Sequence, residues 1–178
     1  MKVFINPGHA PNGEPDPGAC NYDLDLRESD IAKEIADAVE EYLTAAGVHV
    51  VGNLQSDSLG EITSMANVSD ADIFISIHCN AFNGAAKGTE VEVYPNSKAG
   101  YALGNCIQHQ IVDALDMVDR GLKVRPNLYV LKHTDMPAVL VETGFIDNYD
   151  DGVKLRDRTD EFARAIARGV TDYEQQSL

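Results

Sequence analysis

The chain has 178 residues, 44% of them hydrophobic and 24% charged, and its 29 acidic residues outnumber its 14 basic ones to give a formal net charge of −15. That length suits one domain with a sizeable core, and no apolar run approaches the roughly 18 residues of a membrane span. The acidity argues against nucleic-acid binding and membrane docking, and three cysteines (Cys20, Cys79, Cys106) without Cys-x-x-Cys spacing make no disulfide framework.

Lys2–Asn6 is the first predicted strand, broken at Pro7-Gly8. It lacks the apolar segment and cleavage site of a signal peptide. Residues 10–26 form a polar loop rich in proline and glycine, of a length that often marks function inside a compact domain. Ile31, Ile35, Ala38, Val39, Tyr42 and Leu43 then share one helical face, with Ser29 as a cap and Gly47 as a stop.

Val48–Val51 reads as a short strand, and Ser58-Leu59-Gly60-Glu61 as a capping box for a helix to about Val68. Ile73–His78 is a buried strand and Thr89–Tyr94 an alternating one. A helix from about Ser97 to Leu115 follows, then strands at Leu128–Leu131 and Ala138–Glu142. A final helix from about Asp160 places Phe162, Ile166, Val170 and Tyr173 on one face, with residues 174–178 as a frayed tail. The alternation predicts an α/β fold, a single domain over residues 1–178 built from βαβ units around a mainly parallel sheet.

Ligands gather beyond the carboxyl ends of the strands in such sheets. His9 follows the first strand, His78 ends the third, Glu142 ends Val139-Leu140-Val141, and Glu28 stands where the long loop meets the first helix. Two histidines and a carboxylate form a zinc ligand set that leaves one position for water, and a further carboxylate can move that water's proton. Taken singly, each has an ordinary reading: a structural histidine, or an acid at a helix start. Glu142 is harder to dismiss, because an unpaired acid beside buried surface is costly.

Several segments together carry a family resemblance: Ile5-Asn6-Pro7-Gly8-His9, Arg27-Glu28, Ser76-Ile77-His78-Cys79-Asn80-Ala81, Gly88-Thr89-Glu90-Val91, Val130-Leu131 and Met136 through Asn148. In order and spacing the chain resembles the zinc-dependent N-acetylmuramoyl-L-alanine amidases, amidase type 3, over about residues 2 to 172. The resemblance implies a mostly parallel sheet of about six strands flanked by helices on both faces. It implies His9, Glu28 and His78 as ligands of one zinc ion and Glu142 as acid/base. The implied partner is peptidoglycan, cut between the lactyl group of N-acetylmuramic acid and L-alanine. No nucleic acid and no membrane insertion are expected. The setting would be the cell wall, as a phage endolysin or the excised catalytic domain of a secreted autolysin.

Departures from the family pattern fall at Asn6, Ala10, Ser29 and Val51-Gly52-Asn53-Leu54-Gln55, none of them a ligand or the base. Asn80 and His133 are candidate substrate or ligand-orienting residues, and Asn148 has similar standing. Cys79 should point away from His78 by strand alternation. His49 has no partner in this reading, and His109 with Asp113 is a surface pair. A wall-binding module without turnover, or a cysteine hydrolase using Cys79 with His9 or His78, are the competing classes.

Overall fold

The computed structural model describes residues 1–176. In chain order the elements are β1 (Lys2–Pro7), a 3-10 turn (Pro11–Gly13), β2 (Cys20–Asn21), β3 (Leu26–Arg27), α1 (Glu28–Ala45), β4 (His49–Asn53), α2 (Leu59–Val68) and β5 (Ile73–Asn80). There follow β6 (Thr89–Val93), α3 (Lys98–Leu115), β7 (Asp119–Val124), α4 (Tyr129–His133), β8 (Ala138–Phe145), α5 (Tyr149–Asp157) and α6 (Thr159–Gln176).

Six strands form one sheet in the order β4-β1-β5-β8-β6-β7. The first four run parallel, β6 is antiparallel to β8, and β7 is parallel to β6. The central strands β1, β5 and β8 are the continuous apolar runs of the sequence, as expected where both faces are covered. Alternation sorts their side chains. Val3, Ile5, Ile75, Ile77, Val91, Val93, Val139 and Val141 pack with α1, α3 and α6. Phe4, Phe74, Ala138 and Leu140 pack with Ile62 and Ala66 of α2 and Val130 and Leu131 of α4. The same parity puts Asn6, His78, Glu90, Glu92 and Glu142 on the α2/α4 side, toward the carboxyl ends of β1, β5 and β8. The site grows from that face.

The structure corrects several local expectations. Leu128–Leu131 is not a strand: Leu128 caps α4, and Val130 and Leu131 are buried against the sheet. A four-residue apolar run fits either a strand or one helical turn. The sixth strand is β7, an edge strand of mixed polarity whose single sheet neighbour leaves little apolar signal. The polar helix α5, capped by the Asn148 side chain, was not foreseen either. Ser29 lies inside α1 rather than capping it. Ser58 does accept from Glu61 N–H, but the Glu61 carboxylate bonds Ser56 Oγ instead of closing the box. The expected frayed tail is helical through Gln176, and Glu174 accepts from the Met1 amino group; residues 177–178 lie outside the described residues.

Candidate active site

β1 delivers the chain to Gly8, whose N–H donates to the Ile77 carbonyl of β5. A Cβ on Gly8 would lie 2.4–2.7 Å from three atoms of the His78 ring, so only glycine passes here. The next residue, His9, adopts φ 64, and this left-handed turn swings its ring toward β5. Gln55 braces the turn by donating to the carbonyls of Gly8 and Ser29.

The polar loop returns to the same point. Gly18, at φ +68, would place a Cβ 2.5 Å from His9 Cδ2 and 2.7 Å from Glu28 Oε2. Its bare backbone lets the loop close against both side chains. Glu28 is the first residue of α1 and only 4% exposed. Its Oε1 lies 2.9 Å from His9 Nε2 and 2.9 Å from His78 Nδ1, and accepts from Cys79 N–H at 3.0 Å. Its Oε2 accepts from Ala19 N–H at 2.9 Å. One donor atom each from His9, Glu28 and His78 thus falls within a 4.8 Å span.

The charges follow the geometry. Burial works to raise the Glu28 pKa, but hydrogen bonds from His78 and His9 hold it far below the usual carboxylate range. Burial works to lower that of His9, but the Glu28 and Asp16 carboxylates raise it to about 9. The cluster therefore holds a proton where two imidazoles and a carboxylate converge. A metal cation can replace that proton, since each donor already points inward and Glu28 is fixed from behind. The donor set fits zinc, which favours imidazole nitrogen and carboxylate oxygen.

Glu142 stands beside the cluster, in register with His78 on β5 and with Glu90 on β6. Its Oε2 is out of solvent contact and has no hydrogen-bond partner. Burial pushes its pKa well above the usual range, and the Glu28, Glu92 and Glu90 carboxylates push the same way. Those two neighbours are neutralised from β7 and the segment after it: Arg120 Nε is 2.7 Å from Glu90, and Arg125 Nε is 2.8 Å from Glu92. A groove of about 320 Å³ opens beside His9 and His78, walled by Asp16, Asp57, Leu59, Leu128 and Tyr129.

The family model described as N-acetylmuramoyl-L-alanine amidase matches residues 3–172. The chain belongs to that amidase family. The sporulation-specific N-acetylmuramoyl-L-alanine amidase of Bacillus subtilis (strain 168) is 38% identical over 95% of this chain and 65% of its own length. The endolysin of Bacillus phage SPP1 is 35% identical over 94% of this chain and 62% of its own. The chain thus spans less than two thirds of these relatives. A solved N-acetylmuramoyl-L-alanine amidase from Clostridium difficile 630 superposes with a TM-score of 0.90 at 31% identity, covering 99% of this chain and 98% of that one.

Within this amidase fold, His9, Glu28, His78 and Glu142 come together from four segments. His78 and Glu142 are not strand termini, since β5 continues to Asn80 and β8 to Phe145. Asn80 donates to Glu90 Oε1 at 3.3 Å, linking it to the carboxylates around Glu142. His133 is exposed on α4, its ring 4.2 Å from that of Tyr129; Tyr129, not His133, lines the groove. Asn148 serves as the α5 cap. Cys79 faces away from the cluster toward Thr143, and burial pushes its thiol pKa up, the opposite of what a cysteine nucleophile needs. Asp16 and the Glu90–Arg120 and Glu92–Arg125 pairs had no role assigned from the sequence, and Gln55 stood there only within a departure from the family pattern. The long loop holding Asp16 was its only signal there.

Proposed function

We propose that the chain is the catalytic domain of a zinc-dependent peptidoglycan hydrolase, cleaving the amide between the lactyl group of N-acetylmuramic acid and L-alanine of the stem peptide. The family supports the bond, and the names of the relatives support a cell-wall setting as an autolysin or endolysin. The observation that carries the mechanism is the pairing of a convergent His9–Glu28–His78 cluster with an unpartnered Glu142 oxygen.

His9 Nε2, His78 Nδ1 and a Glu28 oxygen would hold one zinc ion, which would supply Lewis acidity toward the scissile carbonyl and the attacking water. Glu142 does the proton work. Its free Oε2 accepts the proton of the attacking water and later delivers it to the alanine nitrogen as the amide breaks. Burial and the surrounding carboxylates make Glu142 hold that proton firmly, which suits the second half of the task. The groove walled by Leu59, Leu128 and Tyr129 receives one arm of the muropeptide beside the ligands. Among the described residues no helix is long and apolar enough to cross a membrane.

Mass spectrometry of purified peptidoglycan after digestion tests this reading. Free stem peptides beginning with L-alanine should appear with zinc, vanish on chelation and return when zinc is restored. Zinc-bound, folded protein that releases no such peptide would instead mark a wall-binding module.

A further inference from the structure

His9 differs from the other two residues of the cluster in how it is held. His78 stands within β5, its ring packed against Gly8. Glu28 is fixed by the Ala19 and Cys79 N–H groups. His9 has left the sheet, and its ring hangs from a left-handed turn. Asp16 supplies what the strand does not. Its Oδ2 lies 2.8 Å from His9 Nδ1, while its Oδ1 accepts from Gly18 N–H at 3.0 Å. The Asp16 carbonyl also accepts from Ala10 N–H, so its backbone is tied to the residue after His9.

We propose that Asp16 is a positioning residue that fixes the tautomer and ring angle of His9 for metal binding. This rests on the zinc reading above. An ionised carboxylate only accepts, so His9 Nδ1 must carry the hydrogen and the Nε2 lone pair is the one left for a cation. Nε2 is the atom that faces Glu28 Oε1. The Asp16-Pro17-Gly18-Ala19 segment thereby couples two ligands: Asp16 grips His9, and the N–H of Ala19, the residue after Asp16's other contact at Gly18, grips Glu28. Losing a carboxylate behind a metal-bound histidine typically weakens metal affinity 10- to 100-fold. Asp16 is 55% exposed, so water partly replaces it and about tenfold is the expected loss.

The test is zinc competition against a chromogenic chelator for the full chain, its Asp16→Ala and Asp16→Asn variants, with amide cleavage followed across zinc concentrations. The wild type should bind one zinc. Asp16→Ala should bind about tenfold more weakly and regain near-normal kcat once zinc is saturating. Asp16→Asn, which can still accept from Nδ1, should lie between the two and covers the case in which the alanine variant fails to fold. Unchanged zinc affinity in both variants overturns the proposal, and a raised KM with normal zinc affinity makes Asp16 a substrate contact instead. A wild type that takes up no zinc defeats the metal reading itself, and the role of Asp16 with it.

Discussion

His78 and Glu142 stand in register on adjacent parallel strands, yet their polar atoms meet opposite surroundings. His78 Nδ1 lies 2.9 Å from Glu28, whereas Glu142 Oε2 is buried with no hydrogen-bond partner. A buried, unpaired carboxylate oxygen is unfavourable for folding alone. Side by side, these two environments separate a group suited to holding a cation from one left free to move a proton.

Replacing His78 by alanine should remove both zinc and activity. It also leaves Glu28 buried with one fewer donor, so the metal-free variant should lose about 1–3 kcal/mol of stability. Zinc titration and chemical denaturation of chelator-treated protein check both halves. Full zinc occupancy in this variant would clear His78 as a ligand.

Gly18→Ala should be damaging although it adds a single carbon. The new Cβ would sit 2.5 Å from His9 Cδ2 on a residue already at φ +68. The strain should cost at least about 1 kcal/mol and displace His9 from the cluster. Zinc affinity and turnover should fall together, whereas Gly47→Ala, with nothing within 4 Å of its Cβ, should lose stability only. Equal zinc affinity in the two variants would contradict the close-packing account.

The metal-free protein should be less stable on the alkaline side. His9 is raised from 6.5 to about 9, so its contribution is complete below pH 6.5 and is lost as pH rises through about 9. The Glu28 pKa is depressed from 4.5, so its contribution is present above pH 4.5 and is lost as pH falls through the lower folded value. Melting temperatures of chelated protein should therefore decline from pH 6.5 toward pH 9. His9→Ala should flatten that decline, and a persistent slope would assign it to other groups.

Arg125 should tune Glu142 without touching it. Its guanidinium pairs with Glu92, and the fields of Glu90 and Glu142 also act on it. Arg125→Ala leaves more negative charge around Glu142, which makes its proton harder to remove. The acidic limb of the kcat/KM profile should move to higher pH. A profile that stays in place would show that Arg125 serves packing alone.

The sequence made some of this legible and hid the rest for physical reasons. The runs Ile73-Phe74-Ile75-Ser76-Ile77 and Ala138-Val139-Leu140-Val141 announce central strands because both their faces are buried. β7 was missed because an edge strand such as Asp119–Val124 needs no apolar run, and Leu128–Leu131 misled because a short apolar run has no readable period. His9, Glu28, His78 and Glu142 stood out by type and place, and by a family resemblance. Asp16 did not, since its meeting with His9 depends on how the loop folds back. The alternation of Thr89–Tyr94 gave a strand but no role for Glu90 and Glu92, whose enclosure by β8 and the two arginines depends on the tertiary fold.

The central claim is that one cluster holds the metal while a separate carboxylate moves the proton. Glu142→Gln, assayed in parallel for bound zinc and for amide cleavage of purified peptidoglycan, tests it most directly. The account predicts one zinc per chain, as in the wild type, with turnover reduced at least 100-fold, the lower end expected for losing a general acid–base. Near-normal cleavage by the zinc-loaded variant, or loss of its zinc, would contradict that division of labour.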